Sequence, residues 1–215
     1  GCGDPSTPEL CPPDMEQEWE FINYIPEHSR ESVREAELEL GSGISANVAW
    51  ETSTGRWDVL LAVADSGVTW GHSDIVNKLH INIGEVPPPI CDDGFEAETY
   101  DCDGNGLTNI QDWAADPRVD MAAGRDASDD VLDPSDLIYT AFGADWDGVD
   151  NDTNGYTDDI SGWDFFGGDN DAWNDWDEGY GTHGTDVMKE AAAEGKNLGE
   201  APGGRIGICP NCSIL

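Results

Sequence analysis

The sequence predicts an α/β fold: a parallel sheet with helices on both faces, incomplete at its end and interrupted by a long acidic excursion. Three observations predict it. An unbroken apolar run at residues 59–64 closes on Asp65-Ser66-Gly67, and a helical pattern opens at His183. The stretch between them, residues 86–180, is crowded with Gly, Asp, Asn and Trp. A continuous apolar run closed by a turn is how a strand buried on both faces of a parallel sheet reads.

Residues 1–43 read as an N-terminal arm, with Pro-rich turns followed by a helix over 32–40. Ser32 and Glu35 stand in a capping-box relation, Val33, Ala36 and Leu40 share a face, and Gly41 is the stop. Residues 44–215 form the main domain, which opens on a second short helix at 44–51. Residues 57–65 are the clearest strand, expected at the centre of the sheet. Residues 86–180 read as loop, and a compact domain rarely carries so long a structureless stretch unless something orders it. Helix returns over 183–194, where Val187 and Ala191 lie one turn apart. Residues 205–215 begin another apolar segment, the expected start of a further strand.

Charge narrows the function classes. Nine Lys and Arg against 46 Asp and Glu leave a formal charge of −37, a field that repels nucleic acid and anionic lipid. No apolar run approaches the roughly 18 residues of a membrane helix, and no secretory signal pattern stands at the start. Disorder, high-salt adaptation and cation binding all produce such acidity. The aromatics and Gly-rich turns disfavour the first, and the spacing of the acids bears on the other two.

The six Cys fall into three sequence-local pairs, Cys2 with Cys11, Cys91 with Cys102 and Cys209 with Cys212. That arrangement suits disulfides in an oxidising, secreted setting, with surface anchoring as a variant. Cys209-Pro-Asn-Cys212 is also half of a zinc site, but no second pair has the matching spacing.

Two loops carry the acids at metal-ligand spacing. The first places Asp101, Asp103, Asn105, Asn109 and Asp112 at loop positions 1, 3, 5, 9 and 12, with Gly106 at 6 and the Leu107 carbonyl at 7. This is the calcium loop of EF-hand and dockerin type, with Asp where Glu is usual at position 12. The second repeats positions 1, 3, 5, 6, 7 and 9 with Asp150, Asp152, Asn154, Gly155, Tyr156 and Asp158. Ser161 stands at its position 12, so it must borrow Asp159 or a neighbour. Crowded carboxylates repel unless a cation neutralises them, and all-oxygen ligands suit calcium better than zinc. Calcium is therefore the expected cofactor and the expected ordering agent of the excursion.

Asp65 stands at the carboxyl end of its strand, where α/β sheets place active sites; taken alone it is as readily a turn residue. Asp65-Ser66-Gly67-Val68 followed by His72-Ser73-Asp74-Ile75 resembles the segment around the catalytic Asp of the subtilisin-like serine proteases. His183-Gly184-Thr185-Asp186-Val187 resembles that family's His motif at the start of a helix. Asn154-Gly155-Tyr156-Thr157-Asp158-Asp159 and Gly162-Trp163-Asp164-Phe165 look like a loop found in many of its bacterial members. Asn211-Cys212-Ser213-Ile214-Leu215 resembles the start of the next strand.

The resemblance spans residues 44–215 in the family's order. It implies a subtilisin-like fold, His183 as general base, Asp65 as its orienting carboxylate and Asp74 as a calcium ligand. It also implies that the nucleophilic Ser and the oxyanion-hole Asn belong to a C-terminal portion of the same precursor, and that the substrate is a peptide or protein. Met188 and Lys189 depart from the family's small residues, a departure that favours a pseudoprotease. A calcium-dependent structural module is the other alternative, and it leaves Asp65 and His183 without a role.

Overall fold

The computed structural model describes residues 44–125, 131–140, 148–174, 182–194 and 205–215. The expected helix at 32–40 lies outside them. Among the described residues the fold is mixed α/β, with three short helices and a two-stranded parallel sheet. Helix α1 spans Ala46–Trp50, strand β1 Leu60–Leu61, helix α2 Pro134–Ile138, helix α3 His183–Ala192 and strand β2 Ser213–Ile214. Two 3-10 turns lie at Val76–Lys78 and Ile110–Trp113.

β1 and β2 pair with Leu60 opposite Ser213 and Leu61 opposite Ile214. Flanking bonds extend the ladder: Ser213 N–H donates to the Val59 carbonyl at 3.1 Å and Val63 N–H to the Leu215 carbonyl at 2.7 Å. On the other edge of β2, Leu79 bridges Ile214 in parallel, and His80 N–H donates to the Ile214 carbonyl at 2.7 Å. β2 therefore has neighbours on both edges. β1 has none on its outer edge among the described residues, and Val59 and Leu60 are 40% and 42% exposed. Among the described residues β1 is thus an edge strand and not the expected central one, since an apolar run cannot tell an edge strand from an inner one.

One core joins the sheet to the excursion. Ile214 and Met188 share it with Ile110, Trp113, Leu137 and Ile160 of residues 86–180, so apolar packing ties the described parts of that stretch to the sheet. Its polar termini are closed by side chains. The Asp133 carboxylate accepts from Ser135 N–H at 2.7 Å and that of Asp136 from Asp133 N–H at 2.8 Å, with Pro134 in the first turn of α2. This is a reciprocal capping box on a helix whose every residue is buried. Asn109 and Asp112 close the Ile110–Trp113 turn in the same way.

On α3 the buried face is Gly184, Thr185, Met188 and Ala192, and Val187 is 36% exposed. The inward stripe is thus one position away from the expected Val187 and Ala191. Lys189 bonds Asp186 one turn back at 2.6 Å, so its charge has a partner and Met188 fills the core beside it. No helix among the described residues is long and apolar enough to cross a membrane.

A measurable consequence lies at the end of α2. Burial and the hydrogen bond to Asp171 push the Tyr139 phenol up to about 12. A group raised in the folded state stabilises it fully below the unfolded value and loses that contribution as pH climbs through the folded one. Ultraviolet titration of the five tyrosines should show one ionising near pH 12, and stability should fall between about pH 10 and 12. In Y139F that late step disappears, with a stability cost of about 1 kcal/mol.

Candidate functional site

α3 begins on His183, and β1 leads within a few residues to Asp65. The structure brings the two side chains together: His183 Nδ1 lies 2.7 Å from Asp65 Oδ1, across a sequence separation of 118. The bond to His183, then that from Ser66 N–H at 2.7 Å, hold the Asp65 carboxyl below its ordinary range. An ionised carboxylate only accepts, so Nδ1 is the nitrogen that donates to it, and in the neutral ring Nε2 is the one left as base. The imidazole is 68% exposed and the Asp65 side chain 20%, so that base is open to an incoming group.

Two consecutive residues of the helix start fix this geometry. Gly184 N–H donates to Ser66 Oγ at 3.2 Å, and Thr69 N–H donates to the buried Thr185 Oγ1 at 2.9 Å. A Cβ on Gly184 would lie 2.2 Å from the Gly67 carbonyl oxygen, closer than any side chain tolerates. The Gly-Thr that follows the His is thus what allows α3 to abut the Asp65 turn. Asp74 is buried, with its backbone N–H on His72 Nδ1 at 3.2 Å. It belongs to neither acidic group below, so the structure does not join it to the expected ligands.

In the first acidic loop, Asp101, Asp103 and Asp112 bring one carboxylate oxygen each within 4.8 Å of one another. Asp101 accepts from Gly104, Asn105 and Gly106 N–H, and Asp103 from Asn105 N–H at 2.9 Å. Asn105 Oδ1 accepts from Leu107 N–H at 2.6 Å. The second loop repeats this pattern: Asp150 accepts from Asn154 and Gly155, Asp152 from Asn154 at 2.9 Å, and Asn154 Oδ1 from Tyr156 N–H at 2.8 Å. Position 4 needs a left-handed backbone in both, with φ 74° at Gly104 and 62° at Thr153.

The loops part company after position 7. Asp112, at position 12 of the first, accepts from Cys102 N–H at 2.8 Å and Asn109 N–H at 2.9 Å. Burial pushes its carboxyl up by more than those two bonds bring it down. In the second loop the matching place is taken by Glu85, which is 1% exposed and lies far earlier in the chain. Its carboxylate accepts from Asp152 N–H at 2.9 Å and Asp158 N–H at 3.1 Å, and it forms the second acidic group with Asp150 and Asp152.

The expected Asp158 and Asp159 do not belong to that acidic group, although Asp159 borders it through Asn154. Asp158 is fully buried and accepts from Gly148 N–H at 2.9 Å. Asp159 accepts from Asn82 at 2.9 Å and Asn154 at 3.0 Å. Asn109 spends its side chain on the Gln111 N–H. Each acidic group can hold a metal ion, and its donors are all oxygen. Glu85 escaped the sequence reading because its only signal was an acid preceded by Gly84, unconnected to the loop it completes.

Cys91 bonds Cys102 and Cys209 bonds Cys212 as disulfides; Cys2 and Cys11 lie outside the described residues. Two disulfides suit an oxidising environment. No family model matches the chain, and no match is found among curated proteins.

E85Q removes one of the three charges of the second group and keeps its shape. Cation titration should show one site weakened roughly tenfold or more, with the Asp101 loop unchanged. Two equally affected sites, or none, would exclude Glu85 from the ligand set.

Proposed function

We propose that the chain is the N-terminal portion of the catalytic domain of a secreted, calcium-binding serine endopeptidase of the subtilisin-like type. The observation that carries this reading is the 2.7 Å contact between His183 and Asp65, two residues that the sequence motifs single out independently. The larger fold would be the family's parallel sheet with helices on both faces. A C-terminal portion of the same precursor would supply the Ser nucleophile and oxyanion donors. Among the described residues the outer edge of β1 has no neighbour, and Val59 and Leu60 there are partly exposed, which leaves room for further chain.

In this mechanism Asp65 keeps the Nδ1–H tautomer and stabilises the imidazolium. His183 Nε2 takes the proton of the Ser hydroxyl as its oxygen bonds to the scissile carbonyl carbon. The same proton passes to the leaving amine when the C–N bond breaks. Water then attacks the acyl-enzyme by the same base, releasing acid and free Ser. Asp65 is charged throughout.

Asp101, Asp103 and Asp112, with Asn105 and the Leu107 carbonyl, would hold one calcium ion. Glu85, Asp150 and Asp152, with Asn154 and the Tyr156 carbonyl, would hold another. The hard oxygen donors fit calcium. When bound, the ions neutralise carboxylates that otherwise repel and so brace residues 86–165.

The pseudoprotease reading rests on Met188 and Lys189. Met188 packs into the core, Lys189 pairs with Asp186, and His183 still meets Asp65, which favours the active reading. A purely structural calcium module leaves that contact without a purpose.

The test uses the precursor that extends beyond residue 215. Casein hydrolysis should fall about 10⁴-fold in D65N and at least as far in H183A. A fluorophosphonate should label one Ser outside residues 1–215. Unchanged hydrolysis in H183A, or no labelling alongside full activity, would refute the assignment.

A further inference from the structure

One exposed surface has no part in hydrolysis and meets the second acidic loop only through the Tyr156 ring. The turn at residues 164–169 carries Phe165, 78% exposed, and Phe166, 97% exposed. Tyr156 packs between Trp163 and Phe165, with ring centroids 5.0 and 5.9 Å away and planes inclined by 58° and 80°. The turn is tightly bonded: Asp164 N–H donates to the Asp169 carbonyl at 2.9 Å, Gly168 N–H to the Asp164 carbonyl at 2.7 Å and Phe166 N–H to Asp164 Oδ1 at 2.7 Å. The Asp164 and Asp169 carboxylates converge beside Gly167, where an added Cβ would lie 2.6 and 3.0 Å from them. Two exposed phenyl rings thus stand on the same short turn as two carboxylates.

We infer that the Tyr156–Trp163–Phe165 cluster and Phe166 form a docking surface for a cationic polypeptide segment rich in arginine. Charge decides the occupant. The chain carries −37, so nucleic acid, anionic lipid and a second copy of itself are repelled, whereas a basic segment is drawn in. A guanidinium stacks on a phenyl face and pairs with carboxylates at once, which suits rings standing beside Asp164 and Asp169. Rings inclined this steeply to one another make no flat platform for a sugar. Burying exposed aromatics supplies the apolar part of the affinity. The inference does not depend on the protease reading, because it concerns binding alone.

The probe is a labelled short peptide alternating arginine and leucine, with a glutamate–leucine peptide as control, followed by fluorescence anisotropy. The protein should bind the arginine peptide with an affinity that falls as salt rises, and should ignore the glutamate peptide. F165S/F166S leaves the charge unchanged and should weaken binding about tenfold. F165Y/F166Y should restore it, which separates loss of ring faces from misfolding. Equal binding by the serine variant would reduce the attraction to bulk charge and overturn the proposal. Preferential binding of cellohexaose or of phosphatidylserine vesicles would overturn it too.

Discussion

Gly184 stands so near the Gly67 carbonyl that an added Cβ would lie 2.2 Å from its oxygen, and much of the candidate site hangs on that contact. With no side chain at 184, α3 comes near enough for Gly184 N–H to reach Ser66 and for Thr185 to accept from Thr69. His183 is then delivered to Asp65. The far end of the same helix is tied as well: its Glu190 and Ala191 carbonyls accept from Ile208 and Cys209 N–H at 2.9 and 2.8 Å. Those residues lead into β2, β2 pairs with β1, and β1 runs on to Asp65. The contacts close a ring, so displacement at either end of α3 is resisted at the other. Close-packed interiors transmit such constraints because they have little room to yield.

A second constraint is electrostatic. Acids at alternate positions of two loops are held in matching patterns by backbone N–H groups, which satisfies the oxygens but does not remove the charge. The geometry is also costly locally, since a β-branched residue such as Thr153 rarely adopts a left-handed backbone where Gly104 does so freely. Asp112 and Glu85 are nearly inaccessible to water, and burying an ionised carboxylate is expensive without compensation. A metal ion held by each acidic group would supply that compensation.

What could be read from sequence follows from how local each signal is. Asp65 and His183 sit in short, specific motifs, and the first positions of each acidic loop follow a spacing set by one turn of backbone. Glu85 could not be read, because its partner loop lies far along the chain. The exposure of β1 could not be read either, since apolarity says nothing of how many neighbours a strand has. The order within residues 86–180 was legible in part: Asp133-Pro134-Ser135-Asp136 is a helix start in plain sequence. Read only as loop acids, such residues hide their capping role. Ile110, Trp113, Leu137 and Ile138 then look isolated, although the fold gathers them into one core.

The central claim is that His183 donates its Nδ1 proton to Asp65 and so keeps Nε2 as a base. Proton and nitrogen NMR of ring-labelled protein measures this directly. The account predicts a strongly deshielded Nδ1 proton on His183 that vanishes in D65N. A His183 ring protonated on Nε2 alone, with no Nδ1 signal that depends on Asp65, would contradict it.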